Sequence, residues 1–271
     1  MSTLAAARPM AADRVRQTLV IAGTVVAIVG AFVGSGAVGG TPIPKVAGGA
    51  LSADATLLAP AGPAFAIWSL IYAGLVTYAI WQALPSQAAR ERQRRAGFWV
   101  LASLLLNAAW ILSVQAGQLA LSVVAIVALL VVLVVTFVIL RRHPSESTAD
   151  AVLLDGVIGL YLGWVMIATV ADITSWLQQT GFDGFGANPH AWAIGMLAAF
   201  AIIGGELAVW DRGRFAPAVA SAWGLAWIGV SRLTGSLPSA PVAITAFAAA
   251  ALLVLIALAV RVARPGPARR R

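Results

Sequence analysis

The 271-residue chain contains no cysteine, which removes disulfides, thiolate metal centres, redox relays and cysteine nucleophiles together. Its one lysine, Lys45, falls in a predicted loop. A retinal Schiff base needs a lysine near the middle of a bilayer, so a rhodopsin-like pigment is excluded. Histidine is limited to His143 and His190. They sit at opposite edges of predicted membrane segments, whereas a transmembrane b-type haem wants paired histidines on facing helices. Charge of either sign is scarce, at 10% of residues against about a quarter in soluble domains. That is too little to cover a water-facing surface, and an ordinary soluble globule is excluded. HExxH, GxSxG and paired mid-bilayer carboxylates are also missing, which disfavours conventional hydrolysis.

What is present is apolar: 61% of residues are hydrophobic and the mean hydropathy is +0.91. A hydrocarbon layer about 30 Å thick is crossed by roughly 20 apolar helical residues. Segments of that length lie at about 17–38, 63–84, 97–116, 118–140, 151–176, 190–210, 215–234 and 240–262. The sequence therefore predicts an all-α polytopic membrane protein with eight transmembrane helices. Gly117 and Gln118 alone separate the third segment from the fourth, which predicts a helical hairpin.

The charges test that count, because short cytoplasmic loops collect Lys and Arg. With the N-terminus inside, the inner segments hold Arg8, Arg14, Arg16, Arg90, Arg92, Arg94, Arg95, Arg141, Arg142, Arg212, Arg214, Arg261, Arg264 and Arg269 to Arg271. Only Lys45 and Arg232 face outward. A missed helix would scramble this parity, so a multi-pass protein of the plasma (inner) membrane with both termini cytoplasmic is expected. The excess of 18 Lys+Arg over 10 Asp+Glu then reflects loop orientation, and no nucleic-acid partner is implied. A cleaved signal peptide is the alternative for the first helix, since Arg14 and Arg16 precede an apolar run ending in small residues.

Gly34 to Gly39 fits G-x-G-x-x-G, but it caps a membrane helix instead of joining a strand to a helix, so nucleotide binding is not inferred. Gly30 with Gly34, and Gly159 with Gly163, are small-xxx-small pairs suited to close helix packing. Asp155 and Glu206 lie near the inner ends of their helices, where snorkelling or capping accounts for them. Asp172, on the outer half of the fifth helix, is placed to pair with Arg232 on the seventh.

Ten tryptophans are more than interfacial belts need. Trp81, Trp99, Trp176, Trp192 and Trp210 fall near helix ends and fit such belts, while Trp68, Trp110 and Trp164 lie deeper. Phe65, Trp68 and Tyr72 fall at i, i+3 and i+7 on the second helix. Tyr161, Trp164, Ala168 and Asp172 fall at i, i+3, i+7 and i+11 on the fifth. Such stripes are commonly packing surfaces. The fifth-helix stripe also joins wide π-surfaces, a small residue and an acid, the combination that a flat apolar ligand with a polar rim would use.

The segment Phe65 to Tyr72, FAIWSLIY, resembles the second-helix signature of the TspO/MBR family, the tryptophan-rich sensory proteins related to the mitochondrial translocator protein. Leu106-Asn107-Ala108-Ala109-Trp110 resembles that family's LNxxW. Tyr161-Leu162-Gly163-Trp164-Val165, with Ala168 and Thr169, resembles its YLxWVxxAT, and Trp176 stands at the closing tryptophan. Pro63 and the loop before it hold the place of the proline-rich first loop. The first loop lacks the WY and KPxWxPP elements, Ala66 replaces a proline, Asp172 replaces an asparagine, and Ile173 and Leu177 occupy the Tyr-Arg positions of a cholesterol-recognition pattern.

The resemblance covers residues 17–178, expected to form a TspO-like five-helix bundle, and leaves 179–271 as a three-helix extension with a basic cytoplasmic tail. It implies a cavity that binds porphyrins or similar flat hydrophobic ligands, lined here by Phe65, Trp68, Tyr72, Asn107, Trp110, Tyr161, Trp164, Ala168 and Asp172. Family members commonly form homodimers. For Asn107, orienting a ligand and bonding between helices remain equal alternatives. The expected role is that of a sensor, scavenger or carrier of a tetrapyrrole, with no required cofactor, no metal, and the bilayer and the ligand as partners. A secondary transporter of a small solute is the alternative. Enzymatic turnover is not expected beyond the light- and oxygen-dependent porphyrin breakdown of some bacterial relatives, which would fall to Trp68 and Trp164.

Overall fold

A computed structural model describes residues 9–36 and 41–263. Among them are eight long helices and no strand: α1 Ala11–Gly34, α2 Ile67–Gln82, α3 Glu91–Gln115, α4 Leu119–Arg142, α5 Val157–Gln179, α6 Pro189–Trp210, α7 Phe215–Thr234 and α8 Ala240–Ala263. A 3₁₀ turn, Gly62–Ala66, leads into α2, and a short helical turn with one wide π-type turn, Ala151–Gly156, leads into α5. Seven of the eight long helices are long and apolar enough to cross a membrane. The exception is α7. Proline, serine, glycine and Arg232 dilute its apolar face, and it turns these residues inward against its neighbours.

Several helices start earlier than the apolar runs do. α1 begins at Ala11 and α3 at Glu91 because the charges in their first turns are matched inside the bundle. Arg94 grips Asp13 through Nε and Nη2, at 2.9 and 2.7 Å. Arg16, 1% exposed, donates to the Ala88 carbonyl at 3.0 Å. Its stem lies where a side chain at Gly97 would stand, which explains a glycine there.

The predicted hairpin is present. Gly117 adopts φ +70°, and the N–H groups of Gly117 and Gln118 donate to the Val114 and Ser113 carbonyls, both at 2.9 Å. This is the glycine-dependent helix stop that reverses α3 into α4. The small-residue pairs also pack closely. A Cβ at Gly34 would stand 2.2 Å from Ile111, and one at Gly163 would stand 2.2 Å from the Pro217 carbonyl oxygen. α1 therefore seats on α3, and α5 seats almost backbone to backbone on α7.

α1, α3, α4 and α5 pack in succession, and α2 closes a five-helix ring by touching both α1 and α5. From α5 the packing continues to α7, then α8, then α6. One apolar core runs through both groups, from Val20 on α1 to Leu253 on α8. Arg92 of α3 pairs with Asp150 and Asp155 ahead of α5, and Asp155 also meets Arg214 at the start of α7. Arg141 at the end of α4 donates to the Trp210 carbonyl at the end of α6. The described inner-segment arginines thus collect at one end of the bundle, where both described termini also lie. Lys45 and Arg232 stand at the other end. Arg8, Arg264 and Arg269 to Arg271 lie outside the described residues, as do Ala37 to Gly39 of the glycine string.

Candidate functional site

Pro63 at the second position of its 3₁₀ turn sets the chain into α2 and brings Phe65, Trp68 and Tyr72 onto one face. Trp68 is the hub of the resulting cluster. Its ring lies 5.5 Å from Tyr72 and 6.0 Å from Trp110, both stacked. It also stands 5.8 Å from Tyr161 and 6.2 Å from Trp164, both edge-on. Phe65 meets Trp164 edge-on at 5.7 Å. Residues from α2, α3 and α5 therefore converge as one aromatic body. Trp110, Tyr161 and Trp164 are buried, while Phe65, Trp68 and Tyr72 are half-buried and form its accessible edge.

The polar groups around the rings are only partly satisfied. Asn107 donates through Nδ2 to the Tyr72 hydroxyl at 2.6 Å, an interhelical hydrogen bond between α3 and α2. The Tyr161 hydroxyl donates to the Ser103 carbonyl at 3.3 Å. Among the described residues, the indole N–H groups of Trp110 and Trp164 and the Oδ1 acceptor of Asn107 are buried without a hydrogen-bond partner. Buried polar atoms are rarely left so, and each calls for an explanation.

Asp172 lies two turns beyond Trp164 and is 1% exposed. The Ser122 hydroxyl of α4 stands 3.1 and 3.0 Å from its two oxygens. The Trp110 indole is the other polar group turned toward it. The expected pairing with Arg232 does not occur. Arg232 instead donates to the Ala53 and Leu237 carbonyls at 2.6 and 3.0 Å and to Ser231 at 2.7 Å. The two side chains serve different neighbours, Asp172 facing α4 and Arg232 facing the chain segments that close its own end. Ala168 is half-buried at the edge of the core.

Asp155 is not a snorkelling acid but the shared partner of Arg92 and Arg214, at 2.8 and 3.3 Å. Glu206 is exposed.

Sequence reasoning missed three contributors to this region. Trp223 of α7 donates its indole N–H to the Ala64 carbonyl at 2.9 Å, and the Trp227 carbonyl accepts from Ala61 at 3.1 Å. Both hold the turn that presents Phe65 and Trp68. Ser122 is one of two hydroxyl residues on α4, whose other polar residues are the terminal Arg141 and Arg142. That isolation was the available signal, as was the i, i+4 spacing of Trp223 and Trp227. The segment before α2 is tied down as well: Ser175 donates to Ala50 at 2.6 Å and Gln179 to Ala47 at 2.9 Å.

A family model described as TSPO-like protein matches residues 19–259, from α1 through α8, with the last three helices included. No curated protein and no solved structure matches the chain.

Proposed function

The chain belongs to the family of TSPO-like proteins, and from that premise we propose that it binds a flat hydrophobic ligand of the tetrapyrrole class against the aromatic cluster of α2, α3 and α5. The observation that carries this reading is the pairing of a continuous π-surface around Trp68 with unsatisfied polar atoms, the Trp164 indole donor and the Asn107 amide acceptor. A macrocycle offers both complements, a face to stack on and ring or carboxylate atoms to accept from Trp164. Phe65, Trp68 and Tyr72 form the side of approach, Asn107, Tyr161 and Ala168 shape the interior, and Asp172 stands at the far rim. The protein acts as a sensor, scavenger or carrier of that ligand in the inner membrane, with its arginine-rich end in the cytoplasm.

The test is quenching of tryptophan fluorescence by protoporphyrin IX in detergent, in the dark. The wild type is expected to quench saturably, and Trp68→Phe and Trp164→Phe each to weaken the apparent affinity. Quenching that is linear and indifferent to both substitutions overturns the reading.

A second reading rests on one observation, the buried Asp172 with a hydroxyl as its close partner. An acid inside a membrane bundle suits proton-coupled movement of a small solute. Proton-dependent flux into liposomes that is lost in Asp172→Asn would favour this second reading, and flux absent from both proteins removes it.

A further inference from the structure

The face of the bundle farthest from the aromatic cluster carries a groove of about 950 Å³ between α6 and α8. Its lining is aliphatic apart from Trp210, Thr245 and Glu206. Alanines and a glycine, among them Ala198, Gly205 and Ala248, keep it open, while Leu197, Leu252 and Ile256 form its walls. Thr245 is already satisfied, donating to the Pro241 carbonyl at 2.9 Å. Glu206 is the one ionisable side chain in the groove, and among the described residues it makes no hydrogen bond or ion pair.

Both walls belong to helices long and apolar enough to cross a membrane, so the groove opens toward lipid. Glu206 lies one turn before Trp210 at the helix end, roughly 6 Å deeper along the axis. A carboxylate at that depth is costly without a counter-charge. Of the buried or half-buried acids of this end, Asp13, Asp150 and Asp155 have arginine partners, and Asp211 accepts from the backbone N–H of Arg214. Glu206 differs in facing an apolar trough instead of an arginine.

We propose that this groove is a binding site for a lipophilic cation taken from the bilayer, an alkylammonium whose chain lies along α6 and α8 and whose head pairs with Glu206. The complementarity is double. The apolar trough accepts an alkyl tail along the walls of Leu197, Leu252 and Ile256. The carboxylate selects a positive head over a neutral or anionic one. The site shares no residue with the aromatic cluster, so it stands whether or not that cluster binds a tetrapyrrole.

The experiment measures binding of a dansyl-labelled alkylammonium, and of the matching uncharged alcohol, to the full chain in nanodiscs of zwitterionic lipid. Glu206→Gln is expected to weaken the ammonium on the order of tenfold, as for loss of one partner of a partly desolvated charge pair, and to leave the alcohol unchanged. Ala248→Trp, at an exposed position that fills the trough, is expected to weaken both. Ammonium binding unchanged in Glu206→Gln overturns the proposal. So does a stable dimer that Ala248→Trp dissociates, because the groove would then hold a second copy of the chain. Retention of tetrapyrrole quenching in both variants separates this outcome from that of the aromatic cluster.

Discussion

The two ends of the bundle bury arginine in opposite ways. At the end where the described termini meet, Arg92 is 4% exposed and faces two carboxylates, Asp150 and Asp155. At the other end Arg232 is fully buried and makes its hydrogen bonds, of 2.6 to 3.0 Å, to two carbonyls and a hydroxyl, with the Asp54 carboxylate acting on it only through its charge. The first arrangement joins helix to helix, linking α3, α5 and α7 through one shared acid. The second joins a helix to the segment ahead of α2. A cation matched by acids leaves uncompensated charge when removed, whereas one matched by carbonyls leaves only weaker acceptors unmet. The first end is therefore built as a fixed clamp, and the second as a fastening that holds the approach to the aromatic cluster.

The largest expected effect comes from breaking the clamp. Arg92→Met strands the buried Asp150 and leaves the half-buried Asp155 with Arg214 alone, and should cost about 3–5 kcal/mol, measured by thermal unfolding in detergent, with partial recovery on adding Asp150→Asn. A loss below about 1 kcal/mol would show that the clamp is not a buried charge network.

Arg232→Met should cost less, about 1–3 kcal/mol, but should speed proteolysis within residues 50–61 while leaving the opposite end protected. Equal protection in wild type and variant would contradict the fastening role.

Trp223→Phe removes one hydrogen bond to Ala64 and should cost about 0.5–1.5 kcal/mol. Its diagnostic is a shift in the emission of Trp68, whose supporting turn has lost a tie.

The smallest contrast is a slope with pH. Burial lifts the Asp211 carboxyl at the arginine-rich end to about 6, despite the opposing N–H groups of Arg214 and Gly213 and the charges of Arg214 and Arg141. The fold thus favours its protonated form, and stability from this group declines as pH rises from the ordinary carboxylate value through about 6. At the other end, hydrogen bonds from Ser236 hold Asp54 below its ordinary value. Its contribution is present above the ordinary value and is lost as the pH falls below it. Asp211→Asn should flatten the first segment of the stability profile, and Asp54→Asn the second. An unchanged profile in Asp211→Asn would show that its titration is not coupled to folding.

Much of the architecture was legible because it follows from one-dimensional regularities. Apolar run length marked the helices, Gly117 marked the hairpin turn, and the alternation of arginine-rich loops marked which helix ends share a side. The aromatic stripes were legible for the same reason, since i, i+3 and i+7 lie on one face whatever that face meets. Partners across helices were not legible. Whether Asp172 meets Arg232 or Ser122 depends on how α4, α5 and α7 are rotated against one another, and no spacing within a helix encodes that. α7 was hardest to judge. Its serines, glycines and Arg232 lower its apolarity because they serve contacts with α5 and the segment ahead of α2, so a hydropathy count undervalues a helix that the packing requires.

The wide turn Ala151–Gly156 has an evolutionary consequence. A π-type turn amounts to one residue inserted into an α-helix, and one residue is worth roughly 100° of rotation about the axis. Asp155 within it belongs to the clamp, and Tyr161, Trp164 and Asp172 beyond it belong to the aromatic face. The two sets are thus out of phase by design of chain length. A relative that lost that single residue would keep a continuous helix yet turn one set away from its neighbours. Among relatives, the length between the clamp acid and the first aromatic of α5 should therefore be inherited more strictly than the identity of the residues between them.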